Sequence, residues 1–186
     1  MAMSGKMTSG TTWTLDDWTL TLRPIGDDDG PLWLELMRTM SWATRYKRGA
    51  RRAEDLGPDD VRRAVTPDPE QEIVFVVTAS RDHEIKIVGV CRARRQRPDA
   101  WEFAIVVLDD WQKCGIGLTL MRAMMDALDA RHAERIEGDV LATNKNMLEF
   151  LEHLGFDAQP HPEHPHMARV ALKLPPRITG TPLSAA

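Results

Sequence analysis

Cysteine is nearly absent: Cys91 and Cys114 are the only two among 186 residues. That supports neither a disulfide framework nor a zinc knuckle, and a reducing cytoplasm is the simplest compartment. Long apolar runs are also missing. Residues 105–108 are typical of those present, whereas a membrane-spanning helix needs ~20 apolar residues, so no membrane contact is expected. Residues 1–12 are small and polar with no apolar centre, which argues against a secretory signal. Basic charge is not in excess: 24 Lys and Arg against 28 Asp and Glu leave a net charge of −4, so nucleic acid is a poor default partner. No internal repeat or interdomain linker is visible. Tyrosine occurs once, as Tyr46.

What is present suits one domain. Hydrophobic residues make up 42%, and a chain of this size buries roughly 70% of its unfolded surface without staples. Residues 1–17, rich in Ser, Thr, Gly and Met, read as a flexible segment, and 175–186 as a flexible tail. Between them, over 18–174, alternation predicts a half-buried strand at 18–25. Acids at 27–29 then open a helix carrying Leu32, Leu36, Met37 and Met40. A second helical stretch begins near Ser41, and Gly57-Pro58-Asp59-Asp60 starts another. Strands follow at 73–77, 85–94 and 101–108, the last being the most apolar and hence central. After a loop at 109–115 come a helix at 116–131, a strand at 135–141, a helix at 144–154 ending on Gly155, and a strand at 167–174. This order is mixed α/β built on one sheet.

The sharpest local feature is strand, then Gln112-Lys113-Cys114-Gly115-Ile116-Gly117, then helix. Two glycines at a helix mouth let a ligand approach the backbone, and the free N–H groups of the first turn with the helix dipole favour a pyrophosphate. A ligand-free glycine turn is the plain alternative. A Walker loop is excluded because no Gly-Lys-Ser/Thr follows. A Rossmann fingerprint fits poorly, since Leu120 stands where a third small residue belongs and residues 109–114 separate strand from glycine.

The pattern Gln112-x-x-Gly115-x-Gly117, preceded by Phe103-Ala104-Ile105-Val106-Val107, resembles motif A of the GNAT superfamily of N-acetyltransferases. Asn144, Leu151 and Leu154-Gly155-Phe156 resemble that family's last helix and its Gly-Phe end. The chain is most similar to the acetyltransferase domain of bacterial Pat-type protein lysine acetyltransferases. The residues that carry this are Leu22-Arg23-Pro24-Ile25, Thr44-Arg45-Tyr46, Trp101-Glu102-Phe103, Asp109-Asp110-Trp111-Gln112 and Glu137-Gly138-Asp139-Val140-Leu141-Ala142.

The resemblance implies a central, mostly antiparallel sheet of six or seven strands, splayed in the middle and flanked by helices. It implies acetyl-CoA as cosubstrate without a metal, held by the backbone of Val106, Val107 and Leu108, by Gln112, Lys113, Cys114, Gly115, Ile116, Gly117 and Leu118, and by Asn144. The acceptor it implies is a protein lysine, with a small-molecule amine as the enzymatic alternative and a non-catalytic acyl-CoA sensor as the other class. A monomer or homodimer is expected.

Glu102 is the candidate general base. It is a lone acid in an apolar strand, and burial there would raise its pKa toward neutrality. The competing reading pairs it with Arg92 or Arg94 on the neighbouring strand. A backbone N–H near 106–108 is the expected oxyanion donor. Many members of the family carry a proton-donating Tyr where Leu151 stands, so the general acid has no candidate. Cys114 reads as a small loop residue with a rival redox role, and His161, His164 and His166 as a solvated turn rather than a metal site. The basic run Arg45, Lys47, Arg48, Arg51 and Arg52 reads as a solvated face or a steering surface for an acidic protein.

Overall fold

The computed structural model describes residues 10–48 and 52–174. In chain order these form β1 (Thr11–Leu15), β2 (Trp18–Pro24), α1 (Gly30–Thr39), α2 (Trp42–Arg48), α3 (Pro58–Val65), β3 (Glu72–Arg81), β4 (Glu84–Arg95), β5 (Ala100–Val107), α4 (Ile116–Asp129), β6 (Arg135–Leu141), α5 (Lys145–His153), β7 (Asp157–Pro160) and β8 (Met167–Lys173). The strands make one sheet in the order β1-β2-β3-β4-β5-β6-β8-β7. Every neighbouring pair is antiparallel except β5 and β6.

The sheet therefore has eight strands, not six or seven, and the two unexpected ones are its edges. β1 falls inside the segment read as flexible. A two-residue turn with Asp16 at φ 49° folds it onto β2, pairing Leu15 with Trp18. β7 is exposed along its whole length and pairs only with β8. β7, with nothing to bury, lacks the apolar alternation that reveals strands in a sequence, whereas β1 carries it in Trp13 and Leu15, which pack on the core.

Alternate residues of the inner strands feed two cores. Trp101, Phe103 and Ile105 of β5 pack with Leu120, Met121, Met124 and Leu128 of α4 and with Leu151 of α5. Val106, on the other face, packs with Val74, Val76 and Ile87 and with Leu36, Met37 and Met40 around α1. Met121 and Met124 are fully buried, as the spacing of that helix predicts.

The start of α1 is tied to β2 by an ion pair. Arg23 donates to the two Asp29 carboxylate oxygens at 2.6 and 2.7 Å, and the Gly26 N–H donates at 2.8 Å. Burial pushes the Asp29 carboxyl up, but the bonds from Arg23 and Gly26 outweigh it and hold it below the ordinary carboxylate value. A depressed value in the folded state means that this stabilisation is complete above the ordinary pKa and is lost as pH falls through the lowered one. We expect Asp29→Ala to destabilise by about 1–3 kcal/mol at neutral pH, with the gap from wild type closing in acid. Identical urea midpoints at neutral pH would show that the pair contributes nothing.

Gly138 sits where β5 and β6 begin to part. A Cβ there would lie 2.9 and 3.1 Å from two ring atoms of Phe103 and 3.2 Å from its carbonyl oxygen. Gly138→Ala is expected to destabilise by about 1–3 kcal/mol, lowering Tm by roughly 2–12 °C for a chain of this size. An unchanged melting curve would mean that Phe103 moves aside freely.

Candidate active site

The ladder between β5 and β6 is short. Ala100 pairs with Arg135, Trp101 with Ile136 and Glu102 with Glu137, and there it stops. Beyond Glu102 the strands diverge, because β6 is held by β8 over its full length while β5 stays with β4. A cavity of about 810 Å³ fills the split. Phe103–Val107 and Gly138–Val140 form its sides, the turn before α4 forms one end, and Asn144, Met147 and Phe150 beside α5 form a wall.

The turn is pinned from several sides. The Gln112 side-chain amide donates to the Val107 carbonyl at 3.0 Å and to the Asp109 carboxylate at 3.1 Å. The Thr44 hydroxyl on α2 also donates to Asp109. Trp111 packs edge-on against Trp18 at 5.4 Å, and the Lys86 ammonium lies 4.3 and 5.6 Å from the two rings. Lys113 and Gly115 adopt left-handed conformations, with φ of 61° and 81°. Nothing lies within 4 Å of a Cβ built on Gly115, so the backbone there is open. The first intrahelical bond runs from Thr119 N–H to the Gly115 carbonyl at 3.0 Å. The N–H groups of residues 116–118 therefore have no acceptor in the helix, and Gly117 and Leu118 line the cavity.

Of the residues singled out from the sequence, Glu102, Val106, Val107, Gln112, Lys113, Gly115, Gly117, Leu118 and Asn144 line this cavity. Asn144 occupies the N-cap position of α5 without capping it, which leaves its amide to the cavity. Leu108, Cys114 and Ile116 do not line it. Leu108 packs on the α1 side, and its N–H is bonded to the Val88 carbonyl at 2.9 Å. From that bond, ladder alternation turns the N–H of Val106 toward β4 as well, and those of Ile105 and Val107 toward the split. The free donors facing the cavity are thus Ile105 and Val107, not Leu108. Cys114 is exposed, with its thiol on the Gln112 carbonyl at 3.4 Å. Ile116 is 1% exposed and belongs to the core.

Charge is divided along the cavity. Lys113, Arg122 and His153 line it on the side of α4 and α5. Neither Lys113 nor Arg122 has an ion pair or hydrogen bond among the described residues, and His153 Nδ1 lies 2.6 Å from the Glu149 carbonyl, which it reaches as a donor. Arg122 and His153 escape a reading by motif, since each is one polar residue on an amphipathic helix.

Glu102 and Asp139 line the other side. Asp139 is neutralised by Arg169, with bonds of 2.8 and 3.3 Å that hold the guanidinium firmly protonated, and His161 lies 3.4 Å away. Glu137 is neutralised by Arg97 at 3.0 Å and Arg135 at 3.2 Å. Arg92 and Arg94 both serve Glu72, each at 2.9 Å. Among the described residues the one hydrogen bond to Glu102 comes from the neutral amide of Gln96, and the Arg169 guanidinium, bonded to Asp139, is near enough to feel the Glu102 charge. Glu102 is also exposed, not buried as an apolar strand suggests.

The remaining candidates fall outside the cavity. His161 is buried, and its Nδ1 accepts the N–H groups of Glu163 and His164 at 3.1 and 3.0 Å. Within the basic run, Arg45 donates to the Met37 and Met40 carbonyls at 3.1 and 3.2 Å, and Arg52 pairs with Glu54. The reading of Arg51 lies outside the described residues, as do those of the Lys47 and Arg48 side chains. Leu151 is fully buried. No helix among the described residues is long and apolar enough to cross a membrane.

Comparison with known proteins agrees with this geometry. The profile described as the Acetyltransferase (GNAT) family matches residues 34–156. The acetyltransferase PA5475 of Pseudomonas aeruginosa is 27% identical over 152 residues, which is 81% of this chain and 82% of that protein. The GNAT domain of S. lividans PAT superposes with a TM-score of 0.76 at 21% identity, covering 89% of this chain and 97% of that one. A chimera of spermidine N-acetyltransferase SpeG from Vibrio cholerae with hSSAT gives a TM-score of 0.62 at 17% identity, over 83% and 95%. Structures this distant in sequence establish the fold, and the profile establishes the lineage: the chain belongs to the GNAT family of acetyltransferases.

Proposed function

We propose that the protein transfers the acetyl group of acetyl-CoA to a primary amine, with Glu102 as general base. The observation that carries this is the divided charge of one cavity threading a split sheet, with cations unpaired among the described residues at one end and a carboxylate with no guanidinium bonded to it at the other. Phosphates would meet the free amides of residues 116–118 and the Lys113 and Arg122 side chains. The pantetheine arm would pair with the β5 edge, where the Ile105 and Val107 backbone faces the split, and with Asn144.

An alkyl ammonium becomes nucleophilic only on losing a proton. Glu102 accepts it, since Asp139 and Glu137 are already engaged by arginines. The nitrogen then bonds to the thioester carbon, the oxyanion takes a backbone N–H from Ile105 or Val107, and the carbon–sulfur bond breaks to release a thiolate. Leu151 offers no proton to that thiolate; the proton still carried by the attacking nitrogen leaves as the intermediate collapses and reaches the sulfur through water.

A protein lysine is the acceptor that the Pat-type resemblance favours. The surface beside the cavity suits a macromolecule: Trp42, 75% exposed, stacks on Tyr46 at 5.3 Å, on the same helix as the cavity-lining Thr44. Incubating a native lysate with the purified protein and isotopically labelled acetyl-CoA tests the assignment by mass spectrometry. Label on protein lysines is expected. Label confined to metabolites would replace the lysine with a small amine, and cofactor binding without acceptor-dependent thiol release would make the protein a sensor.

A further inference from the structure

A second cavity of about 700 Å³ lies on the face of the sheet covered by α1 and α3. Ala104 and Val106 of β5 line both cavities. Strand alternation places these two side chains on the same face as Glu102. The reacting carbonyl must lie near Glu102, so whatever extends beyond that carbonyl along this face passes Ala104, whose side chain is a single methyl group. Past it the lining is mixed: Trp33, Met37, Met40, Leu56 and Val90 supply apolar surface, and paired charged residues such as Glu72 and Arg92 supply the rest.

We propose, resting on the acetyl-CoA reading above, that this second cavity receives the tail of acyl groups longer than acetyl, making the protein an acyltransferase that accepts short straight-chain acyl-CoA donors. The amine acceptor does not suit this space. An ammonium needs a carboxylate without a cationic partner; of those lining the cavity, Glu72 and Asp60 are engaged by arginines, and Asp68, which is not, is exposed to solvent. Glu72 holds Arg92 and Arg94, Asp60 accepts from Gly57 N–H at 2.9 Å and from Arg63 at 2.6 Å, and Asp68 accepts from Glu70 N–H at 2.9 Å. Burial also pushes the Arg92 guanidinium below its usual range against the pull of Glu72, as expected of a partly dry compartment. A hydrocarbon tail makes no demand on these pairs and gains from the methionines and valine between them.

Calorimetry of the full chain with acetyl-, butyryl- and hexanoyl-CoA tests this without an identified acceptor. A methylene taken from water strengthens binding by up to about fourfold, so butyryl-CoA is expected to bind roughly tenfold tighter than acetyl-CoA and hexanoyl-CoA tighter still. Val90→Phe and, at a half-buried rim position, Leu56→Trp fill the second cavity without touching the first. Each is expected to reduce the chain-length gain to below about twofold while the affinity for acetyl-CoA holds. Acetyl-CoA binding accompanied by equal or weaker binding of the longer donors overturns the proposal and leaves acetyl transfer standing. A gain that survives in both folded variants also overturns it, because the tail then lies elsewhere. Failure of all three donors to bind overturns the acetyl-CoA reading itself, and this inference with it.

Discussion

The Glu102→Gln variant is expected to bind acetyl-CoA as wild type does and to turn over ~10²–10⁴-fold more slowly, the range for loss of a general base. The substitution is nearly isosteric, and its remaining carbonyl oxygen can still accept the Gln96 amide that now meets the carboxylate. Cavity shape is thus preserved while the basic oxygen is lost. No neighbour can replace it. Glu137 lies beside Glu102 in the ladder but is held by Arg97 and Arg135, and Asp139 is held by Arg169. The measurement is steady-state thiol release with the acceptor identified by isotope labelling, together with calorimetry of cofactor binding. The acid limb of the wild-type pH–rate profile should vanish in the variant. Wild-type turnover across the pH range would remove Glu102 from the chemistry. Loss of cofactor affinity would instead assign it a place in binding.

The second large effect is expected at the mouth of α4. A Cβ on Gly117 would lie 3.7 Å from the Phe150 ring and 4.0 Å from a Val107 methyl, both ordinary contacts. The backbone there is helical and tolerates a side chain, so Gly117→Ala should be nearly neutral in stability and weaken acetyl-CoA binding only a few-fold. Gly117→Val adds two methyl groups at a cavity-lining position between the strand and α5. They crowd the space over the free amides, and overpacking of about 1–3 kcal/mol corresponds to roughly 10–100-fold weaker binding. Fold stability should change by less than about 1 kcal/mol, since valine is a somewhat better helix former than the glycine it replaces. Calorimetry and a melting curve on the same samples separate the two effects. An unchanged affinity for acetyl-CoA would count against the turn as the phosphate site.

Most of the sheet was legible in the residues because strands β2 to β6 and β8 bury one or both faces. Their apolar patterns follow from that burial. The turn between β5 and α4 was legible for a related reason: two glycines at a helix mouth serve close backbone approach, and few other roles require both. β7 was not legible because it is exposed along its length and is held by hydrogen bonds to one neighbour, whereas the Trp13–Leu15 alternation of β1, whose side chains pack on the core, was lost in a segment dominated by small polar residues. Arg122 and His153 were hidden for the opposite reason, since a charged residue on a helix surface looks the same whether or not a cavity opens beside it.

The fate of Glu102 shows where sequence reasoning ends. An acid between Trp101 and Phe103 has the pattern of a buried carboxylate, yet the side chain is exposed. The register also sets Arg94 between Glu72 on one side and Glu102 on the other. Local sequence cannot choose between those carboxylates, and the folded chain gives Arg94 to Glu72. The residues alone determined a single mixed sheet, its inner strands, and an anion-ready turn, because burial and backbone freedom are written into side-chain type. Only the tertiary structure decided which carboxylate has no guanidinium bonded to it, which amides of β5 face the split, and that Ala104 and Val106 line two cavities. Those outcomes depend on register and on the packing of helices against opposite faces, which arise between segments far apart in the chain.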